Sequence, residues 1–135
     1  MPDDALTLLV LDDEDAIRES FCDYFEDYGF QILSADSGEA ALALLKHETP
    51  DAAIVDIRMG GMSGENFIFK AIEQRPNCVY IICTGSPDYS QTEDLKKCPQ
   101  VSDIIFNKPV TNLRLLQDEI TQMVDQYNKV RNANG

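Results

Sequence analysis

The fold is decided near the start of the chain by residues 6–15, which read LTLLVLDDED. The first six of these residues are apolar except for Thr7. Such a run, without alternating polar positions, is typical of a strand that is covered on both faces, as in parallel sheets. The run stops abruptly at Asp12. We therefore predict a buried strand that ends in a group of carboxylates.

The same arrangement recurs along the chain. Four further apolar runs are separated by segments whose apolar residues recur at helical spacing. Five alternations of strand and helix favour one doubly wound α/β domain, a parallel sheet with helices on both faces. The four later predicted strands are Phe30–Ala35, Ala52–Val55, Val79–Cys83 and Asp103–Phe106.

Individual residues mark where the predicted helices begin and end. Gly29 is expected to end the first helix and Ser37 to cap the start of the second. Residues 86–102 show little periodicity, so any helix there should be short or irregular. The last predicted helix closes one domain over residues 5–127, and the polar residues 128–135 are expected to form a fraying tail.

The overall composition is that of an ordinary globular domain, with 135 residues of which 44% are hydrophobic and 26% charged. No apolar run approaches the roughly 18 residues that a membrane span needs. The acidic start Met1–Asp4 is unlike a secretory signal, so we expect a cytoplasmic location without membrane contact. A net charge of −13 repels nucleic acid, so direct nucleic-acid binding is not expected.

Polar residues follow the predicted strands at the points where ligands bind to open α/β sheets, outside the carboxyl ends of the strands. Asp12 and Asp13 follow the first strand, and Asp56 follows the third. Thr84 follows the fourth strand, and Lys108 comes shortly after the fifth. Three carboxylates, one hydroxyl and one ammonium should therefore meet in one crevice.

This set of groups is suited to phosphoryl chemistry. Three neighbouring carboxylates need a counter-charge, and hard oxygen ligands suit Mg²⁺. A carboxylate can also attack phosphorus, while an ammonium and a hydroxyl stabilise the phosphoryl oxygens. A nucleotide or flavin binder would instead place glycines or hydroxyls after the first strand, where the acidic residues 12–15 repel a bare phosphate.

With these motifs in this order, the chain resembles the response-regulator receiver domains of two-component signalling, the CheY-like family. The resemblance extends from about Leu6 to about Tyr127. It implies a flavodoxin-like sheet with strand order 2-1-3-4-5. The motifs that carry it are Asp12-Asp13-Glu14, Asp56 with Met59, Met62 and Gly64, Thr84-Gly85, and Lys108-Pro109.

The resemblance also implies a role for each acidic residue. Asp56 would accept a phosphoryl group from the phosphohistidine of a sensor histidine kinase or a histidine phosphotransfer protein. The cofactor would be Mg²⁺, bound by Asp12, Asp13, Asp56 and the backbone carbonyl of Arg58. The Arg58 side chain could also tune dephosphorylation, or it could simply be an exposed basic group.

The resemblance also implies roles for Thr84 and Lys108 and a conformation for the bond that follows the lysine. Thr84 would move toward the phosphoryl oxygens as a switch, Lys108 would pair with the phosphoryl group, and the Lys108–Pro109 bond would be cis. The result would be a change in the affinity for a downstream effector that the sequence does not identify. Homodimerisation through the last helix stays open.

The chain departs from the family pattern in places that concern signal output. Family members usually carry an aromatic residue three positions before the lysine, where this chain has Ile105. Phe106 stands one place later and should lie on the opposite face of the strand. Gly60 replaces a usual proline, and residues 86–102 are atypical.

Two alternatives remain beside a phosphorylated switch, which is not an enzyme beyond its own phosphorylation and dephosphorylation. One is a receiver-like docking module that is never phosphorylated. The other is a phosphatase of the haloacid-dehalogenase type, which also uses an aspartate nucleophile. Such phosphatases have a second aspartate two residues after the nucleophile, where this chain has Arg58.

Overall fold

The computed structural model describes residues 5–134, with side chains up to residue 127. Five strands and five helices alternate, and every neighbouring pair of strands is parallel. The strand order is β2-β1-β3-β4-β5, which confirms the predicted doubly wound fold. The strands are β1 Thr7–Leu11, β2 Gln31–Ala35, β3 Ala52–Asp56, β4 Val79–Thr84 and β5 Val101–Asn107. The helices are α1 Asp15–Asp27, α2 Gly38–Leu45, α3 Gly64–Gln74, α4 Glu93–Lys96 and α5 Leu113–Asn134.

The sheet separates two apolar clusters. One contains side chains of α2, α3 and α4, and the other contains side chains of α1 and α5. Neighbouring residues of a strand point to opposite faces, so Leu9 and Val10 of β1 enter different clusters. All residues of β3 and β4 are buried. The continuous apolar runs of β1, β3 and β4 therefore reflect burial on both faces, whereas the edge strands β2 and β5 are only partly buried.

The predicted helix boundaries are confirmed at both marker residues. Gly29 follows α1 with a φ of 89°, a conformation that glycine adopts at little cost. The Ser37 side chain accepts a hydrogen bond from the Ala40 amide at the start of α2, over 3.1 Å. The expected short helix within residues 86–102 is α4, which has only four residues and is anchored by the buried Leu95.

β5 is the strand that the sequence predicted least well. It begins at Val101, two residues before the predicted start at Asp103. Its register against β4 shifts between Val101 and Ile105, so the intervening residues form a bulge. The Ser102 hydroxyl accepts a hydrogen bond from the Ile104 amide within this bulge, over 3.1 Å.

The last helix is longer than its apolar stripe. α5 continues to Asn134, although the residues after 127 were expected to fray. A helix can propagate through polar residues because each added residue forms one more backbone hydrogen bond. The domain boundary at residue 127 stays a prediction, and the expectations for Met1–Asp4 and Gly135 lie outside the described residues. No helix within residues 5–134 is long and apolar enough to cross a bilayer.

Candidate functional site

The carboxyl ends of β1 and β3 bring three acidic side chains together. Asp12, Asp13 and Asp56 each offer a carboxylate oxygen, and these oxygens lie within 4.8 Å of one another. Asp12 and Asp56 are each only 2% exposed, whereas Asp13 faces solvent. The two adjacent central strands end at the same edge, so acids 43 or 44 positions apart in sequence become neighbours.

Lys108 supplies the positive charge of the cluster. Its Nζ lies 3.0 Å from Asp12 Oδ2 and 3.4 Å from Asp56 Oδ1. It also lies 3.5 Å from Glu14 Oε1, a partner that the sequence analysis did not assign to the lysine. The Lys108 amide donates to the Thr84 carbonyl over 2.8 Å, and the bond to Pro109 is cis, as the resemblance implied. The lysine is thereby tied to the end of β4.

The electrostatics of Asp56 are those of a crowded, buried acid. Burial, followed by the charge of Asp12, raises the pKa of Asp56 to about 6, while Lys108 acts in the opposite direction. Burial lowers the pKa of Lys108, but its hydrogen bond and attraction to Asp12, and then its attraction to Asp56, outweigh that effect and raise it. The site therefore concentrates negative charge that one ammonium only partly balances.

Backbone groups orient the two buried carboxylates. The Glu14 amide donates to Asp12 Oδ1 over 2.9 Å, and the Arg58 amide donates to Asp56 Oδ1 over 3.3 Å. Arg58 itself is exposed. Each acid thus accepts a hydrogen bond from the amide two positions later, which restrains its rotamer. For Asp56 this hydrogen bond also acts to lower the pKa, against the larger effect of burial.

Gly64 has a physical role at this site. It is the first residue of α3, and its amide donates to the Ile57 carbonyl over 3.0 Å. A Cβ at this position would lie 2.3 Å from the Asp56 carbonyl oxygen and 2.8 Å from the Ile57 Cα. Only glycine lets α3 approach the backbone that carries Asp56 this closely.

Thr84 and the residues near the end of β5 lie where the sequence placed them. Thr84 is fully buried, and its Oγ1 accepts a hydrogen bond from the Ser86 amide over 3.1 Å. Ile105 packs against the α2–α3–α4 cluster and Phe106 against the α1–α5 cluster. The prediction that Ile105 and Phe106 face opposite sides of β5 is therefore confirmed.

Two contacts around the site were missed by sequence reasoning. The Arg18 guanidinium donates to the backbone carbonyl of Asp12, and the Tyr89 hydroxyl donates to the Glu65 carboxylate. Tyr89 lies in the loop after β4, and Glu65 lies in the first turn of α3. Neither contact has a sequence signal, because spacing and polarity do not say which distant side chains meet.

Comparison with known proteins shows the family of this chain. Residues 8–120 match the response regulator receiver domain, and the chain belongs to that family. A cyclic di-GMP phosphodiesterase from Thermotoga maritima is 36% identical over 116 residues. The match covers 86% of this chain but 30% of the phosphodiesterase, so this chain corresponds to only a part of that protein.

Solved structures agree with this assignment. A CheY-like receiver domain protein from Methanospirillum hungatei is 28% identical, with a TM-score of 0.79 over 93% of this chain and 98% of that chain. The response regulator TrrA from Thermotoga maritima, solved with Mg²⁺ and BeF, is 25% identical, with a TM-score of 0.76 over 87% of this chain and 98% of that chain.

The fold, the acidic cluster and the family together define the class of protein. This chain is a receiver domain of the kind found in two-component response regulators. Its three clustered carboxylates are hard oxygen donors of the kind that hold a divalent cation.

Proposed function

We propose that Asp56 accepts the phosphoryl group, with Mg²⁺ as cofactor, and that phosphorylation switches the affinity of this chain for a partner protein. One observation carries the proposal: the oxygens of Asp12, Asp13 and Asp56 share a space of 4.8 Å, and the Lys108 ammonium lies against two of these acids. One carboxylate beside the lysine would be enough for a structural salt bridge, whereas this cluster holds two further carboxylates.

The phosphoryl donor we propose is the phosphohistidine of a sensor histidine kinase or histidine phosphotransfer protein. A carboxylate oxygen of Asp56 attacks the phosphorus, and an acyl phosphate P–O bond forms. The P–N bond to the donor imidazole breaks, and the leaving nitrogen takes up a proton. Lys108, already 3.4 Å from Asp56, offsets the charge of the incoming phosphoryl oxygens.

The residues present fit Mg²⁺. We propose Asp12, Asp13, Asp56 and the backbone carbonyl of Arg58 as its protein ligands, with water in the remaining positions. When bound, the cation neutralises carboxylate and phosphoryl oxygens and so lowers the barrier to attack by one anion on another. The surplus negative charge of the three acids is the feature that this role requires.

The output of the switch would depend on Thr84 and the loop after it. The buried Thr84 hydroxyl lies at the end of β4, next to β3, so a phosphoryl group on Asp56 offers it a new acceptor. A shift of Thr84 would pull on the loop that leads to the short α4. We propose a downstream effector protein as the receiver of this signal and the cytoplasm as the location.

The proposed chemistry can be tested on the purified chain with acetyl phosphate as a small phosphoryl donor. In the presence of MgCl₂ the wild type should become a retarded species on a phosphate-affinity gel, and EDTA should prevent this. Asp56→Asn should show no retarded species. Asp23→Asn, which changes an exposed acid on α1, should behave like the wild type.

The alternatives give different results in the same experiment. A docking module that is never phosphorylated would show no retarded species with acetyl phosphate or with a histidine phosphotransfer protein as donor. Steady turnover of a small phosphate ester would indicate a phosphatase. We propose that this chain is no such enzyme, because the residue two positions after Asp56 is Arg58 and cannot act as a general acid.

A further inference from the structure

Arg18 is held against the acidic turn after β1. It lies in the first turn of α1, where Nη1 donates to the Asp12 carbonyl over 2.9 Å and Nη2 to Asp15 Oδ1 over 2.7 Å. The Arg18 side chain is 17% exposed, while that of Asp15 is 77% exposed. An exposed pair such as Arg18–Asp15 contributes little by itself, so the contact with the Asp12 carbonyl carries the structural consequence.

The Asp12 carbonyl belongs to the planar peptide unit that joins Asp12 to Asp13. A hydrogen bond to its oxygen restricts rotation of that plane, and therefore the direction in which the Asp13 side chain leaves the backbone. Two other groups of Asp12 are also held: its amide donates to the Ala35 carbonyl over 3.3 Å, and its Oδ1 accepts from the Glu14 amide. Arg18 thus restrains a backbone group that helps to orient the next residue.

Asp13 depends on this restraint more than the other two acids do. Asp12 and Asp56 are buried and contact Lys108, whereas Asp13 is exposed and gains little restraint from packing. We propose that Arg18 is a positioning residue for divalent-cation binding, which it promotes by fixing the Asp12 carbonyl and thereby directing the Asp13 carboxylate into the site. This inference rests on the proposed function of the acidic cluster.

Charge and positioning predict opposite effects of removing Arg18. The guanidinium is a positive charge beside the acidic turn, so charge alone would make cation binding tighter in Arg18→Gln. Positioning makes it weaker, because Asp13 then samples directions that do not point to the cation. Groups that orient metal ligands contribute about tenfold to a hundredfold in affinity. We expect the Kd for Mg²⁺ to rise about tenfold.

The test is a calorimetric titration of the full chain with MgCl₂. Arg114→Gln is the matched control, because Arg114 is also a helical arginine paired with an acid, Asp118, over 3.2 Å on the exposed side of α5. We expect Arg114→Gln to bind Mg²⁺ like the wild type. Arg18→Lys should lie between the wild type and Arg18→Gln, because a lysine keeps the charge but would hold the Asp12 carbonyl through a single ammonium on a flexible stem.

A second readout separates positioning from catalysis. At saturating MgCl₂ the rate of phosphorylation of Arg18→Gln by acetyl phosphate should return close to that of the wild type, because the defect lies in cation binding. A rate that stays low at saturation would overturn the assignment of Arg18 as a positioning residue. Unchanged or tighter Mg²⁺ binding by folded Arg18→Gln would overturn it too.

If circular dichroism shows that Arg18→Gln is unfolded, Arg18→Lys decides, and an affinity equal to that of the wild type overturns the inference. If the wild type binds no Mg²⁺, or if Asp13→Asn binds it unchanged, the proposed metal site fails and this inference fails with it. If the wild type binds Mg²⁺ and folded Arg18→Gln binds it equally well, the inference about Arg18 is overturned while the proposed metal site stands.

Discussion

Asp56 combines two properties that conflict in a folded protein. It is 2% exposed, and it lies beside a second buried acid, Asp12. Lys108 relieves part of this repulsion from 3.4 Å. Burial and the remaining repulsion raise the pKa of Asp56, so its ionisation costs more in the folded chain than in the unfolded chain. The residue proposed as the phosphoryl acceptor is therefore expected to reduce the stability of the cation-free domain.

The raised pKa of Asp56 predicts how the stability of the cation-free domain changes with pH. Below about pH 4 Asp56 holds its proton in both states, so the stability that its neutral side chain contributes is fully present. Between the unfolded pKa and the folded pKa of about 6, only the folded chain keeps the proton, so the stability contributed by Asp56 is lost as pH rises. Without divalent cations, Asp56→Asn should be more stable than the wild type at pH 7.5, by about 1–3 kcal/mol.

Urea denaturation in EDTA at a series of pH values checks this expectation. The stability difference between Asp56→Asn and the wild type should shrink toward pH 4. Asp23→Asn, which changes an exposed acid on α1, is the control variant. A gap for Asp56→Asn that is the same at all pH values would contradict the argument.

At the scale of elements, the approach of α3 to the end of β3 decides where Asp56 lies. Ser63 caps α3 by accepting a hydrogen bond from the Asn66 amide over 3.2 Å, which places Gly64 against the backbone of Asp56 and Ile57. This contact is backbone to backbone, so neither side can yield by a change of rotamer. The helix and the strand end therefore have one permitted spacing.

Replacement of Gly64 by alanine should break this spacing. The new Cβ would lie 2.3 Å from the Asp56 carbonyl oxygen, so Gly64→Ala should lower the free energy of unfolding by about 3 kcal/mol. Gly60→Ala, in the loop that precedes α3, is the matched control, since a Cβ at Gly60 has no neighbour within 4 Å. It should be neutral or slightly stabilising. Equal losses of stability in the two variants, measured by chemical denaturation, would disprove a specific contact at Gly64.

At the scale of the whole molecule, a net charge of −13 opposes the compact state, and part of that charge is concentrated at one edge of the sheet. A cation that binds the folded chain but not the unfolded chain stabilises it by mass action. We therefore expect MgCl₂ at about a hundred times its Kd to stabilise the wild type by about 2.7 kcal/mol.

Thermal or chemical unfolding with and without MgCl₂ measures this effect. The comparison solution is NaCl at the same ionic strength, because salt also screens the net charge without entering a site. Asp13→Asn should lose the additional stabilisation by MgCl₂, and Asp23→Asn should keep it. If NaCl and MgCl₂ stabilise the wild type equally, no specific cation site is present.

The sequence alone predicted the parts of this protein that depend on local pattern. Continuous apolar runs identified the buried strands, because strands covered on both faces have no polar alternation. The parallel topology then placed Asp12, Asp13, Asp56, Thr84 and Lys108 at one edge, since the carboxyl ends of parallel strands coincide. The sequence also predicted that any helix within residues 86–102 is short, because a four-residue helix such as α4 is too short to show a helical period.

Tertiary structure decided what depends on contacts between distant residues. The bulge in β5, the partners of Lys108 and the Arg18 contact with the Asp12 carbonyl involve chain segments that local pattern does not relate to each other. The continuation of α5 past residue 127 likewise needed the structure, because polar residues can extend a helix without an apolar stripe. Periodicity records which side of an element is buried, whereas hydrogen-bond partners are set only when the elements pack.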